Sequence, residues 1–289
     1  MEKQIRKLSE FDLAYANALH VLLDQAPAVN ARTGVKVKAA HGMLFQFAPH
    51  VIPLLTLRDI KPLWACAEAV WFMGGGLSAH YMEKFGFKIW EKFADADKFV
   101  RSATGYRWRK HFGVDQIKHL IRKLTDDPSS RQGVVSSWDP LEDNLNPGLN
   151  VPCVDTWHFH IIDGFLHMSV LQRSGDMYFG VPHDVFGSRI VQELLAAGLG
   201  VVPGGVSYLV SNAHLYEDQW QAAEEMLGRA ERMARRGDKA KINNINLRLT
   251  RDDFMRSMVC DEALPLEIYR KVAEIYDPWP AIAGPKLVL

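Results

Sequence analysis

Pro152-Cys153 is followed along the chain by Gln172-Arg173-Ser174-Gly175-Asp176, Gly180-Val181-Pro182-His183-Asp184 and Asn212-Ala213-His214-Leu215-Tyr216. These residue types could supply a nucleophile, a phosphate clamp, a base reader and a sugar reader for one nucleotide. A free thiol with a pKa of about 8.5 is mostly protonated at neutral pH, so a cysteine nucleophile needs cationic neighbours. Arg173 supplies one if the segments around 153 and 173 lie side by side. Taken alone, a cysteine is more often a small core residue, so the surrounding pattern has to carry the functional reading.

The elements that must position these groups are legible from periodicity and turn chemistry. Ser9 with Asp12 three positions on caps a helix whose Phe11, Tyr15, Ala18, Leu19 and Leu22 share a face, ended by Pro27. Val35–Lys38 and Met43–Phe47 alternate as strands, with Gly42 expected to break them. Ile60 to Met73 reads as an apolar helix stopped by Gly74-Gly75-Gly76, and Asp115 to Leu124 as an amphipathic one. Residues 81–112 are aromatic-rich and irregular. Gly133 to Trp138 reads as a strand, and Asp155 to Leu171 as a hairpin about Asp163-Gly164. A helix is expected over Val185–Leu199, a strand through Val206, Tyr208 and Val210, and a long helix over Tyr216–Arg236. Arg229, Arg232, Arg235 and Arg236 then read as a solvated helix end. Tyr276-Asp277-Pro278-Trp279-Pro280 forces an extended tail.

The 289 residues carry 34 basic and 34 acidic side chains, a formal net charge of +0. That balance argues against a nucleic-acid partner but not against a small phosphate ester held by a few arginines. Hydrophobic residues make up 48% of the chain, enough for a sizeable core. Cys66, Cys153 and Cys260 are an odd, sparse set that reads as free thiols in a reducing compartment. No apolar run reaches the roughly 18 residues that span a bilayer, and Met1–Ser9 is polar. A soluble cytoplasmic protein without membrane association is expected, and the length allows one large α+β domain over residues 1–289.

The chemistry-bearing motifs, taken together, resemble the thymidylate synthase superfamily. The resemblance extends to Arg32-Thr33-Gly34, Glu68-x-x-Trp71-Phe72, Ile89-Trp90, Ser130-Arg131 with Val135-Ser136-Ser137-Trp138, and Tyr276-Asp277-Pro278-x-Pro280, in order over nearly the whole chain. It implies a large mixed β-sheet with flanking helices and a sheet-to-sheet homodimer. It also implies that Cys153 adds to C6 of a pyrimidine nucleoside monophosphate, making C5 attack the one-carbon unit of 5,10-methylenetetrahydrofolate, the folate co-substrate. Arg32, Arg173 and Ser174, with Arg131 crossing from the other subunit, would hold the 5′-phosphate, and Gln172 would stand with them. His214 and Tyr216 would bind the sugar. Glu68 would organise water and proton transfer. Asp176, Trp90, Gly180 and the terminal carboxylate of Leu289 would meet the folate. His158, His160 and His167 alternate without an evident further ligand, and no metal is expected.

Departures from the family pattern bear on the substrate. Asp184 stands where thymidylate synthases carry asparagine. A carboxyl can accept from cytosine N4 and, when protonated, donate to N3. Val154, Gln132, His183 and Asn212 replace a histidine, an arginine, a phenylalanine and an aspartate. These resemble the deoxycytidylate hydroxymethylase branch. The expected product is 5-hydroxymethyl-dCMP. The alternatives are reductive C5 methylation of dCMP or dUMP, hydroxymethylation of CMP, and a catalytically dead nucleotide- or RNA-binding relative.

Overall fold

The computed structural model describes residues 8–30, 33–145, 151–235, 247–282 and 285. Helix α1, Glu10–Leu23, begins with the reciprocal cap its spacing predicts. The Asp12 N–H donates to Ser9 Oγ at 2.9 Å and the Ser9 N–H donates to Asp12 Oδ2 at 2.8 Å. Helices α2 Pro62–Met73, α3 His80–Glu83, α4 Thr104–Tyr106, α5 Gln116–Asp126 and α6 Gly180–Leu199 follow, then α7 Trp220–Arg235, α8 Arg251–Ser257 and α9 Leu264–Ala273. The aromatic-rich stretch between α2 and α5 resolves into short helical turns, among them Ile89–Phe93 and Arg107–His111.

Six strands form one sheet: β1 Ala28–Val29, β2 Lys36–Phe47, β3 Gly133–Ser136, β4 Val154–Ile162, β5 Phe165–Asp176 and β6 Val202–Tyr216, in the order β1-β2-β6-β5-β4-β3. All pairs are antiparallel except β5–β6. That parallel pair needs a crossover, and α6 provides it. The β4–β5 hairpin turns at Asp163 and Gly164, both at positive φ (52° and 80°), as a tight two-residue turn requires. The architecture is α+β, a mixed sheet with flanking helices, as the sequence predicts.

Four features differ from expectation. Gly42 does not break β2: His41 pairs Asn212 and Met43 pairs Val210 on either side of it. A glycine at φ +74° bends the strand without a side-chain clash, so the ladder continues. Helix α6 starts at Gly180 instead of Val185, because Pro182 falls in the first turn, where its missing N–H is no loss. Asp184 therefore lies inside the helix, not at its cap. Strand β6 runs on to Tyr216, so His214 and Tyr216 are strand residues ahead of α7. Arg229 is buried instead of solvated; its Nη1 donates to Leu57 O at 2.7 Å and Pro280 O at 3.0 Å, joining α7 to the tail.

The sheet has two unlike faces. Phe45, Phe47, Trp157, Phe159, Met168, Val170, Tyr208 and Val210 are buried under the helices. Gly175 lets α6 approach, since a Cβ there would lie 2.6 Å from Val181 Cγ2 and 2.7 Å from Val210 Cγ1. Arg189, 1% exposed, locks the other end of α6 by pairing with Glu193 and donating to Gly204 O at 2.7 Å. The opposite face carries Leu44, His158, His160, His167, Ser169 and Ser207. Val134, His158, Ser169, Ser207 and Gln46 line up across it in register.

Candidate active site

Cys153 precedes β4 and is exposed. Arg173, on the neighbouring strand β5, is tied to the same segment three times. Its backbone N–H donates to Cys153 O at 2.9 Å, its Nε to Pro152 O at 2.8 Å and its Nη2 to Val151 O at 3.2 Å. Its guanidinium also lies 5.4 Å from the centroid of the Trp138 ring. The β4–β5 register shifts between Val154 and Thr156, leaving Asp155 as an extra residue beside the cysteine. A bulge of this kind re-aims neighbouring side chains. The thiol and the guanidinium thus belong to one short patch of backbone, as their proposed partnership requires.

Two carboxyls stand over the core side of this patch. Glu68, on α2, is 9% exposed and accepts from Trp90 Nε1 at 2.8 Å. Burial, reinforced by the charge of Asp184, raises its pKa to about 8 against the opposing Trp90 bond. Asp184 is half-buried on α6, and its Oδ2 accepts from Gln172 Nε2 at 2.8 Å. Burial raises its pKa to about 7, opposed by the Gln172 bond and aided by Asp176. Gln172 Nε2 also donates to Ser174 O at 3.0 Å, and Gln172 Oε1 accepts from the Tyr208 hydroxyl at 2.8 Å. The Tyr208 hydroxyl is held well above its ordinary range by burial and by the charges of Asp184, Cys153 and Glu68. Its phenol therefore marks a point within electrostatic reach of all three proposed catalytic residues.

The other expected site residues fall into three groups. Ser174, Asp176, His214 and Tyr216 come together where the ends of β5 and β6 run in register, with Ser174 beside Asn212 and Asp176 beside His214. The His214 and Tyr216 rings meet edge to face at 5.2 Å. Asp176 already accepts from the Tyr178 N–H at 2.8 Å, the Phe179 N–H at 2.9 Å and Gln219 Nε2 at 2.9 Å. It anchors the entry to α6 and keeps little capacity for another donor. Gly180 lies between this anchor and Asp184, whose Oδ2 would be 3.4 Å from a Cβ there. The sequence places Gln172 among the substrate ligands, but its amide is 1% exposed and both its N–H groups bond within the protein. Its bonds run to Ser174, Asp184 and Tyr208.

Arg131 is exposed and does not join the site of its own chain. Gly133, two residues on, pairs with Phe159, six positions along β4 from Cys153. At about 3.3 Å per strand residue that separation is roughly 20 Å. Arg32 and Leu289 lie outside the described residues.

Three residues lie among the candidate site groups in ways that their sequence context does not announce. Tyr208 looks like an ordinary inward strand residue. Trp90 reads as a wall, yet it also orients Glu68. Asp155 stands two residues past the cysteine, and that proximity is its one signal. Burial raises its pKa to about 6, against the pull of Arg173. His183 stacks against Trp64 (6.3 Å, 19°) and donates from Nδ1 to Phe179 O at 2.9 Å. Burial lowers its pKa to about 4, so it is neutral at physiological pH. Among the described residues, the grouping of ligand-type atoms close enough for a metal is His111, Asp139 and Glu142. Arg107 Nη1 already stands 3.3 Å from His111 Nε2 there, which disfavours a further cation.

A cysteine and an arginine tied to one backbone segment, with two carboxyls whose pKa values are raised to about 8 and about 7 and whose charges reach the same Tyr208 hydroxyl as that of Cys153, are equipment suited to an enzyme that works by covalent addition. Residues 13–269 match the thymidylate synthase family, and the chain belongs to it. Members of that family bind a pyrimidine nucleotide and use methylenetetrahydrofolate as co-substrate. Among solved structures, the thermostable thymidylate synthase A from Bacillus subtilis superposes with a TM-score of 0.66 at 22% identity, covering 75% of this chain and 84% of that one. This last likeness is one of fold.

Proposed function

We propose that this chain is a deoxycytidylate 5-hydroxymethyltransferase, moving the one-carbon unit of methylenetetrahydrofolate to C5 of dCMP. The observation that carries the reading is Asp184, a carboxyl with a pKa of about 7 where a uracil reader would be an amide. Gln172 donates to Oδ2, which leaves Oδ1 as the better seat for a proton. A carboxyl so held can donate to cytosine N3 and accept from the N4 amino group.

In this reading Cys153 attacks C6, with Arg173 tied to the backbone of the same segment. Arg173 and Ser174 hold the 5′-phosphate with charge-assisted bonds, joined by Arg32 and by Arg131 of the partner subunit. His214 and Tyr216 take the sugar. Trp90 walls the folate and orients Glu68, whose raised pKa suits it to exchange protons near neutrality. Asp176 and Gly180 shape the folate side, and Leu289 closes over it. The homodimer packs through the open sheet face.

The test is mass analysis of products from dCMP, CMP and dUMP incubated side by side with methylenetetrahydrofolate. A hydroxymethylated dCMP is expected. Dihydrofolate absorbance together with a methylated nucleotide would replace hydroxymethylation by methylation. Cys153→Ala is expected to abolish tritium release from C5 of labelled dCMP while still binding the nucleotide; unchanged release would exclude covalent addition by this residue.

A further inference from the structure

The open face of the sheet carries a shallow groove of about 380 Å³, whose walls include Gln46, His160, His167, Ser169 and Ser207. Among the described residues that line it there is no Asp, Glu, Lys or Arg. His160 and His167 stand directly opposite each other on β4 and β5, with ring planes 14° apart and centroids 5.6 Å apart. His158 stands two residues from His160 on the same face of β4. The β5–β6 register shifts at His167: Leu166 pairs with Pro203 and Met168 with Val206, so Gly204 and Gly205 stand opposite one residue. The Gly205 N–H donates to His167 Nδ1 at 3.1 Å. A backbone N–H can only donate, so Nδ1 carries no hydrogen and the neutral ring keeps its proton on Nε2. From the other side of the sheet, α6 grips the same irregularity. Gln192 Nε2 donates to Leu166 O at 2.7 Å and to Gly205 O at 3.2 Å, beside the paired Arg189 and Glu193.

This arrangement suits neutral imidazoles. A hydrogen added to His167 Nδ1 would point at the Gly205 N–H and end that bond, and like charges directly across a β pair repel. Burial already holds His160 below the ordinary histidine range, and the charges of His167 and His158 act in the same direction. Beneath the sheet, Arg189 and Glu193 offset each other. We propose that this face is a self-association surface gated by protonation: a second copy seats on it while His158, His160 and His167 are neutral and leaves as they become charged. An isologous contact presents the same patch from both copies, so each set of histidines meets the other, and the groove offers no carboxylate to pair them. A second copy is the occupant because the same face exposes Leu44 and Val134, and Arg131 stands roughly 20 Å along the sheet from its own cysteine. The gate rests on the homodimer proposed above and adds its control: acid releases the partner and, with it, the crossing Arg131.

The experiment is fluorescence-detected sedimentation of the full chain at pH 7.5 and pH 5.5 and constant ionic strength. Burial against a second copy disfavours charged imidazole, so dimerisation releases protons and weakens as pH falls through about 6.5. The dimer Kd is expected to rise about tenfold or more from pH 7.5 to pH 5.5. In His160→Gln, which leaves the bond between Gly205 and His167 in place, the rise should shrink to about threefold or less. A dimer equally tight at both pH values overturns the gate and leaves the dimer standing. A monomer at both overturns the dimer, and the gate with it. An equal rise in the parent, His160→Gln and His167→Gln would overturn the histidines as its cause.

Discussion

Glu68 and Asp184 put the enzyme's chemistry and its stability in opposition. Their ordinary pKa values of 4.5 and 3.8 are raised in the fold to about 8 and about 7. The folded state therefore binds protons that the unfolded chain has released. Their favourable contribution is full below about pH 4 and is lost as pH rises through 7 and 8. Glu68→Gln is expected to be more stable than the parent by roughly 1–3 kcal/mol at pH 8 and little changed at pH 5, while turnover falls about a hundredfold or more. Urea melts at the two pH values check this; parallel stability curves would remove the buried charge as the cause. For Asp184→Asn, the ratio of kcat/KM for dCMP over dUMP should fall roughly tenfold or more, the effect of one mismatched buried hydrogen bond. A constant ratio would remove Asp184 as the base reader.

At the scale of elements, the site depends on how closely α6 lies on β5 and β6. That approach places the Asp184 carboxylate 2.8 Å from the Gln172 amide, with Tyr208 behind it on the third element. Gly175 makes it possible. Gly175→Ala would bring a methyl to 2.6 Å from Val181 Cγ2, and overpacking of this kind costs roughly 1–3 kcal/mol. A lower urea midpoint together with a loss of turnover larger than the loss of dCMP affinity is expected, because α6 carries Asp184, the proposed base reader. Unchanged midpoints would show that the helix gives way freely. The register shift at Asp155 is the other element-level device, since it occurs beside the cysteine and where β5 delivers Arg173.

At the scale of the whole molecule, the helices cover one face of the sheet and leave the other open. Leu44, 54% exposed, and Val134, 47% exposed, stand on that open face. A second copy is the proposed cover, and Arg131, roughly 20 Å along the sheet from its own cysteine, would then serve the neighbouring site. Leu44→Lys should convert dimer to monomer in sedimentation and reduce activity in proportion, with activity regained at higher protein concentration. Full activity in a monomeric variant would rule out a crossing arginine. No helix among the described residues is long and apolar enough to cross a membrane.

Features that depend on neighbours in sequence are legible in the order of residues alone. Ser9 and Asp12 cap α1 because both lie within one turn, and Asp163-Gly164 turns the hairpin because two adjacent residues can adopt positive φ. The motif residues around 153, 173 and 214 are legible through their types and order. Their company is not. The pairing of Gln172 with Tyr208, the burial of Arg229 against Leu57 and Pro280, and the ring contact of Trp108 with Trp157 join residues far apart in the chain. Periodicity cannot report such contacts. The same limit applies to the carboxyls: sequence supplies a glutamate and an aspartate, but only tertiary packing removes both from water, which raises both pKa values, and brings the Asp184 charge close enough to raise that of Glu68 further.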